Sequence, residues 1–389
     1  MDQDSLAVPG RVNLIGEHID YHGLAVLPMA IGRSVRVSFR ARSDREIQVA
    51  SAGYGCRQFE WTANLACAAP GDWENYVRAA AQAVSRQWGV GLGIDAEIES
   101  DLPSAAGLSS STALLVAVAL CLLRANRLSP TFEELMEILP EGEQFVGTRG
   151  GGMDHAAVLA SLRGCASLIE FDPPRMRAIP IPGGWAFLVA HSLERAEKSG
   201  PRREEYNARR AAGSAALKQL GFRSYREVLA RLPEELPENF AQRLAGRERD
   251  SFLHVTTEAL RVWDAVQAME RCEPQLFGRV LNESHASLRD RLQVSCPALD
   301  RLVDTAMESG ALGARLTGAG FGGCAVVFCR AGDVEAVEQG LRERYYRGQP
   351  GFDPRRHLIR AAAASGALAN SPTTHRGDAE SAEATRRKP

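Results

Sequence analysis

Residues 10–23 read GRVNLIGEHIDYHG and crowd Arg11, Asn13, Glu17, His18, Asp20, Tyr21 and His22 beside the apolar Val12, Leu14 and Ile15. Buried charges are costly unless paired, so a core strand should reject these polar groups, while a surface loop has no need of the apolar ones. One arrangement reconciles the two: a loop that wraps something polar and uncharged, such as a sugar.

Three further stretches carry chemistry. DLPSAAGLSSSTALL (101–115) brings Gly107 and Ser109, Ser110 and Ser111 to the start of an apolar run. The first turn of a helix has unpaired N–H groups and the positive end of the helix dipole, so a glycine loop entering it can cradle phosphate. The serines could also serve only as an N-cap after a turn. No GxxxxGK[ST] sequence occurs here, so it is not a P-loop. In GTRGGGMDHAA (147–157), Gly150, Gly151 and Gly152 allow close backbone approach, and Asp154 follows at an expected helix start. Asp154 is then either an N-cap or a carboxylate aimed into a site. RLTGAGFGGCAVVF (315–328) sets Gly318, Gly320, Gly322 and Gly323 between two strand-like runs. That is more glycine than a hairpin turn requires.

The elements that must position these loops are legible in part. Alternation in SVRVSFRA (34–41), EIQVAS (46–51) and GIDAEIES (93–100) predicts half-buried strands. Apolar spacing predicts a helix over 73–88, and ALLVAVALCLL (113–123) a buried one. Ser129-Pro130-Thr131 ahead of Glu133-Glu134 marks a helix start with Pro in the first turn. Strands are expected at 165–171 and 185–192, with the Pro- and Gly-rich 172–184 between them as a domain junction. Residues 203–290 read as mainly helical. A helix (297–309), strand (313–317), glycine loop, strand (324–329), helix (332–346) and strand (357–364) follow. Without regular βαβ alternation, the class is α+β with two lobes, 1–180 and 181–365, and a disordered polar tail over 366–389.

Composition bounds the function. The 389 residues suffice for two or three domains, and 46 Lys and Arg against 48 Asp and Glu favour neither nucleic acid nor an anionic membrane. The longest apolar run is far shorter than the roughly 20 residues of a membrane span. Eight cysteines without a CxxC pair fit free thiols in a reducing, cytoplasmic compartment. The first residues lack the features of a signal peptide.

Taken in order, the motifs resemble the GHMP kinase family, and within it the galactokinases: GRVNLIGEHIDY resembles the galactokinase signature, PSAAGLSSSTA the phosphate-binding PxxxGLSSSAA, and LTGAGFGGC the third motif. The resemblance implies a two-lobed kinase fold holding nucleotide and sugar between the lobes. It implies ATP- and Mg²⁺-dependent phosphorylation of the anomeric hydroxyl of a galactose-type monosaccharide by a monomer. Glu17, His18, Asp20, Gly151 and Tyr206 match sugar-contacting positions. Arg11 and Asp154 match the catalytic pair, with Asp154 orienting the hydroxyl and taking its proton late and Arg11 keeping Asp154 ionised. Gly107, Ser109, Ser110 and Ser111 would face the phosphates. Trp73 resembles the aromatic of the nucleotide pocket, or is a helix core residue. Ser110 and a carboxylate would hold Mg²⁺.

Departures from the family pattern accompany the likeness. The metal-side carboxylate position falls on Gly142, between Glu141 and Glu143, and Glu143 is taken instead. Ile19 stands where the signature has Thr. Gly150-Gly151-Gly152 replaces the Cys-Gly-Ile of many galactokinases and resembles N-acetylgalactosamine kinases, leaving room for a larger 2-substituent. Few residues precede Pro9, so an arm that covers this loop in relatives is expected to be missing. An N-acetylgalactosamine kinase and a non-catalytic galactose/ATP sensor are the competing readings; the full-length GLSSSTA motif argues for an active enzyme.

Overall fold

The structure, a computed structural model, describes residues 3–103, 106–147, 151–171, 173–195, 201–232 and 234–369. The chain opens with β1 (Asp4–Ile15), β2 (Leu27–Ala41), β3 (Glu46–Ser51), β4 (Gly55–Glu60), α1 (Glu74–Trp88), β5 (Ile94–Ser100), α2 (Ser110–Ala125), α3 (Phe132–Gly142) and α4 (Met153–Ala160). The hairpin β6 (Cys165–Glu170) and β7 (Arg175–Pro180) follows, then β8 (Trp185–His191). A helical stretch comprises α5 (Pro201–Leu220), α6 (Tyr225–Leu229), α7 (Pro237–Ala241), α8 (Gly246–Glu270), α9 (Pro274–Asp290) and α10 (Pro297–Glu308). The chain closes with β9 (Gly313–Thr317), β10 (Cys324–Arg330), α11 (Val334–Gly340), α12 (Pro354–His357) and β11 (Leu358–Ala361).

Two sheets organise these elements. The first has the order β1-β2-β5-β3-β4, with β3 and β5 parallel and the other neighbours antiparallel. The second is antiparallel, β11-β8-β10-β9. α2 lies over β1 and β2 beside α1. It is apolar on all sides and correspondingly buried, with Ala113, Val116, Ala117 and Cys121 fully covered. A second, smaller core joins Leu188 and Val327 of the second sheet to Leu302 of α10 and Val337 of α11. Among the described residues no helix is long and apolar enough to cross a membrane, and all eight cysteines are free thiols.

Several expectations change. Residues 10–15 are not a loop: they form the end of β1, buried continuously from Val8 to Ile15, and the turn begins at Gly16. Arg11 and Asn13 are tolerated in that strand because Arg11 pairs with Asp154 and Asn13 Nδ2 donates to Glu17, although Asn13 Oδ1 has no partner among the described residues. The helix expected from Trp73 starts at Glu74, with Trp73 at its N-cap. Pro130 lies ahead of α3 rather than in its first turn: Thr131 is the N-cap, accepting from Glu134 N–H while the Glu134 carboxylate accepts from Thr131 N–H at 2.7 Å. The presumed junction 172–184 contains β7, paired along its length with β6. The helix expected to run to 346 passes into a π-helical turn at Leu341–Tyr346, and the last strand is confined to Leu358–Ala361. Residues 366–369 are no loose tail: Gly366 N–H donates to Ser161 O at 2.8 Å, and Ala367 and Leu368 bond back to α4. Residues 370–389 lie outside the described residues.

Candidate active site

The centre of the site is the pairing of Arg11 on β1 with Asp154 in the first turn of α4. Arg11 Nε and Nη2 both reach Asp154 Oδ1, at 2.8 and 2.6 Å. The Ser109 hydroxyl donates to Asp154 Oδ2 at 2.5 Å. Asp154 is therefore not the cap of α4; that position belongs to Gly152, whose φ of 99° suits glycine. Arg11 also donates to Gly107 O at 2.6 Å. Burial works against its charge, but Asp154 and Glu17 outweigh burial and hold its pKa above the ordinary arginine value.

The signature turn supplies the second group. Gly16 and His18 both have left-handed backbone, φ 99° and 62°, and a 3₁₀ turn over Asp20–His22 follows. Glu17 accepts from Asn13 Nδ2 and from Gly318 N–H. Burial raises its pKa, against the lowering effect of Arg315 and Arg11. His18 Nε2 lies 3.2 Å from Ala319 O, and Nδ1 lies 3.0 Å from the Tyr21 hydroxyl. A carbonyl only accepts, so Nε2 carries the proton and Nδ1 accepts from Tyr21. Burial, with His254 nearby, drives the pKa of His18 down to about 3, so the ring is neutral. Asp20 accepts from Gly151 N–H at 3.1 Å, and burial together with Asp154 pushes its pKa up to about 6. Tyr206 on α5 closes the group, its ring centroid 5.3 Å from that of His18 and 5.7 Å from that of Tyr21.

The glycines act through close packing. A Cβ on Gly151 would collide with the Asp20 carbonyl carbon and the Tyr21 nitrogen. A Cβ on Gly152 would meet Met136, at 3.2 Å, then Pro140 and Phe171. It would point into apolar packing, so the room inferred for a larger 2-substituent does not arise from the missing side chain at 152. Gly150 lies outside the described residues. Ile19, the other departure, is fully buried.

The third group meets at the N-terminus of α2. Ser109 sits there with φ 58°, its side chain turned to Asp154 rather than capping the helix, and no acidic residue occupies the first turn. Among the described residues no side chain caps the first-turn N–H groups of Ser110, Ser111 and Thr112, which suits them to an anion. Gly107 and Gly318 pack backbone on backbone: a Cβ on Gly107 would stand 3.0 Å from Thr317 O, and one on Gly318 3.0 Å from Gly107 O. The glycine loop 318–323 is thus both the connection of the β9–β10 hairpin and a wall of this site. Glu143 accepts from the Thr112 hydroxyl at 2.5 Å, and His155 Nε2 lies 3.9 Å from its carboxylate. A Cβ on Gly142 would face Ala83, Ala79 and Leu115 in the core, and Glu141 is exposed. Among these three, Glu143 is the one whose side chain lines the cleft. Arg11, Glu17, His18, Asp20, Gly151, Asp154 and Tyr206 line it as well. Trp73 stands apart, with its indole N–H on Tyr54 O at 3.3 Å and its ring beside Arg57.

Comparison with known proteins bears on the family and the fold. Residues 5–41 match the galactokinase galactose-binding signature, 75–161 the GHMP kinases N terminal domain and 265–347 the GHMP kinases C terminal domain. A galactokinase of Roseiflexus sp. (strain RS-1) is 39% identical over 357 residues, 87% of this chain and 86% of that protein. The chain belongs to the galactokinase family. A Streptomyces coelicolor galactokinase is 35% identical over 87% of this chain and 88% of its own. The structure of Lactococcus lactis galactokinase complexed with galactose superposes with a TM-score of 0.83, at 27% identity and covering 94% of each chain. L. major mevalonate kinase in complex with R-mevalonate matches with a TM-score of 0.61 at 21% identity, covering 94% of this chain and 97% of that one, which shows a shared fold.

Sequence reasoning about this galactokinase chain missed several residues at the site. Tyr21 donates to His18 Nδ1, and Thr112 orients Glu143. Both lie inside quoted motifs, so their hydroxyls were the available signal. Arg315, fully buried, donates to Asn13 O and Leu14 O at 3.0 and 2.9 Å and lies 3.8 Å from Glu17. An arginine in an otherwise apolar strand just before LTGAG was the cue.

Proposed function

We propose that this chain transfers the γ-phosphoryl group of ATP to the anomeric hydroxyl of galactose, giving galactose 1-phosphate. The observation that carries the reading is that the Arg11–Asp154 pair, backed by Ser109, and the polar turn of Glu17, His18 and Asp20 face one cleft. Glu17, His18, Asp20 and Tyr206 offer hydroxyl-binding groups and a ring face suited to a neutral polyol. Asp154 accepts the hydrogen bond of the anomeric hydroxyl and takes its proton as the O–P bond forms and the bond to the ADP leaving oxygen breaks. Paired with Arg11, it is a weak base, which suffices for a loose transition state in which bond-breaking leads. Arg11 offsets the negative charge that develops next to it. The open first turn of α2 and the Gly107 and Gly318 backbones receive the phosphates.

The residues present also fit Mg²⁺. Glu143, held by the Thr112 hydroxyl of α2, and Asp154 both line the cleft and offer hard oxygen donors. Among the described residues no group of three or more His, Cys, Asp or Glu is placed to hold a metal alone, which suits an ion that takes few protein ligands and keeps most of its waters. Ser110 and Glu143 would hold the ion, which when bound neutralises and orients the phosphates.

A coupled ADP-release assay of the purified protein against galactose, N-acetylgalactosamine, glucose and talose tests the reading. Galactose should give the highest kcat/KM. Faster turnover of N-acetylgalactosamine at equal low concentration would replace galactose as the substrate, and no ADP release with any sugar would overturn a catalytic role.

A further inference from the structure

The turn that carries Glu17 and His18 has left-handed backbone at Gly16 and at His18; glycine adopts it freely, but at His18 it persists only when the surroundings impose it. What imposes it comes from the second half of the chain. His254 and Glu258 lie one turn apart on α8, and Arg315 lies on β9; each is 0% exposed. His254 Nε2–H donates to Glu17 O at 3.0 Å, while its Nδ1 accepts from the Ser287 hydroxyl of α9 at 2.9 Å. Glu258 Oε1 accepts from Gly16 N–H at 3.0 Å and from the Ser284 hydroxyl at 2.7 Å, and Oε2 pairs with Arg261 at 2.8 Å. Arg315 holds the carbonyls of Asn13 and Leu14. Burial lowers the pKa of His254 to about 4. Burial would raise that of Glu258, but Arg261 and His254 outweigh it and bring it to about 2. At neutral pH the ring is therefore uncharged and the carboxylate ionised.

None of these three side chains lines the cleft. Apolar residues of similar volume would fill the same space at equal or lower cost, since buried ionic groups are a poor means of gaining stability. Their hydrogen bonds are instead concentrated on the backbone of Asn13 to Glu17, immediately before and at the residues that face the sugar. We propose that His254, Glu258 and Arg315 are positioning residues: they clamp the backbone of the signature turn from behind, so that the affinity for sugar is set by α8 and β9 as well as by the turn itself. The kinetic part of this inference rests on the function proposed above.

The test compares His254→Leu, which fills the space without a donor, with His254→Gln, which can return an Nε2–H to Glu17 O. Steady-state kinetics with galactose and ATP are read beside amide hydrogen exchange of residues 14–19. His254→Leu should raise KM for galactose about tenfold, the factor corresponding to one lost hydrogen bond, and leave KM for ATP within about twofold. Exchange at 16–18 should accelerate while the 106–112 segment stays as in the parent protein. His254→Gln should recover most of both effects. A galactose KM within about twofold of the parent with unchanged exchange, or equal rises in both KM values, would overturn the clamp. If His254→Leu does not fold, Ser287→Ala removes only the hydroxyl behind Nδ1 and should move the same readouts by about threefold; no movement there overturns the proposal equally. If the parent protein does not act on galactose, the functional reading fails, and the exchange measurement alone decides whether the clamp exists.

Discussion

Replacing Asp154 by Asn keeps the outline of the side chain and removes its charge. In the resting site Arg11 places two N–H groups on Oδ1 and Ser109 places its hydroxyl on Oδ2. A carboxylate accepts all of these, whereas an amide has one oxygen and one NH₂. With the Asn oxygen toward Arg11, the NH₂ meets Ser109, whose hydroxyl can turn to accept, so the fold survives. The cost lies with Arg11, 2% exposed and deprived of its closest counter-charge. Breaking a fully buried ion pair costs about 3–5 kcal/mol. Here Asp154 is 15% exposed, Gly107 O still accepts from Arg11, and Glu17 and Asp20 still stabilise its charge. A loss of about 1–3 kcal/mol in unfolding free energy follows. The loss in turnover should be larger, because the variant can neither take the proton nor hold the hydroxyl by a charged acceptor. General-base contributions of about 10²–10⁴ set the expected fall in kcat, equal to about 3–5 kcal/mol in the barrier. The assay is ADP release at saturating galactose and ATP, with thermal melting of the same preparations. A kcat within about threefold of the parent would refute the reasoning and leave Asp154 as a structural partner of Arg11.

Gly151→Ala should weaken galactose binding by about tenfold or more in calorimetric titration, because the added methyl displaces Asp20 and Tyr21; unchanged affinity would mean that the turn yields freely. Glu143→Gln should raise the Mg²⁺ concentration for half-maximal velocity by about tenfold or more, and an unaltered Mg²⁺ dependence would remove Glu143 from the metal site. Acid should destabilise the fold between pH 6.5 and 4. Burial lowers His18 and His22 to about 3 and His191, His254 and His285 to about 4. The unfolded chain therefore binds protons that the native state refuses as pH falls through that window. His254 alone contributes about 3 kcal/mol that is present above pH 6.5 and gone below about 4. Asp20, raised to about 6, and Glu17, also raised by burial, oppose this, but they are two carboxylates against these five histidines. A urea midpoint that stays flat from pH 7 to 5 would contradict the balance.

The sequence by itself determined the elements whose signals are local. Alternation located β3 and β5, the all-apolar run located α2, and the ordered motifs pointed to the family. It also named most of the residues that line the cleft, because each sits inside a short, distinctive string. Tertiary structure decided what those residues do to one another. Arg11 and Asp154 are separated by 143 positions and Glu17 and Gly318 by 301, and no local pattern encodes such pairs. For that reason β1 was misread: its polar residues argue against a core strand until their distant partners are known, and a paired charge is tolerated where a lone one is not. The same holds for direction. Whether position 142 or 143 faces the cleft depends on how α3 ends against α1 and α2, and whether Gly152 leaves room near a sugar depends on where its absent Cβ would point, which is toward Met136. Spacing along a chain records which side chains share an element. Which of them meet is set by packing between elements, where a rotation of one residue, about 100° on a helix, turns a side chain from the site into the core.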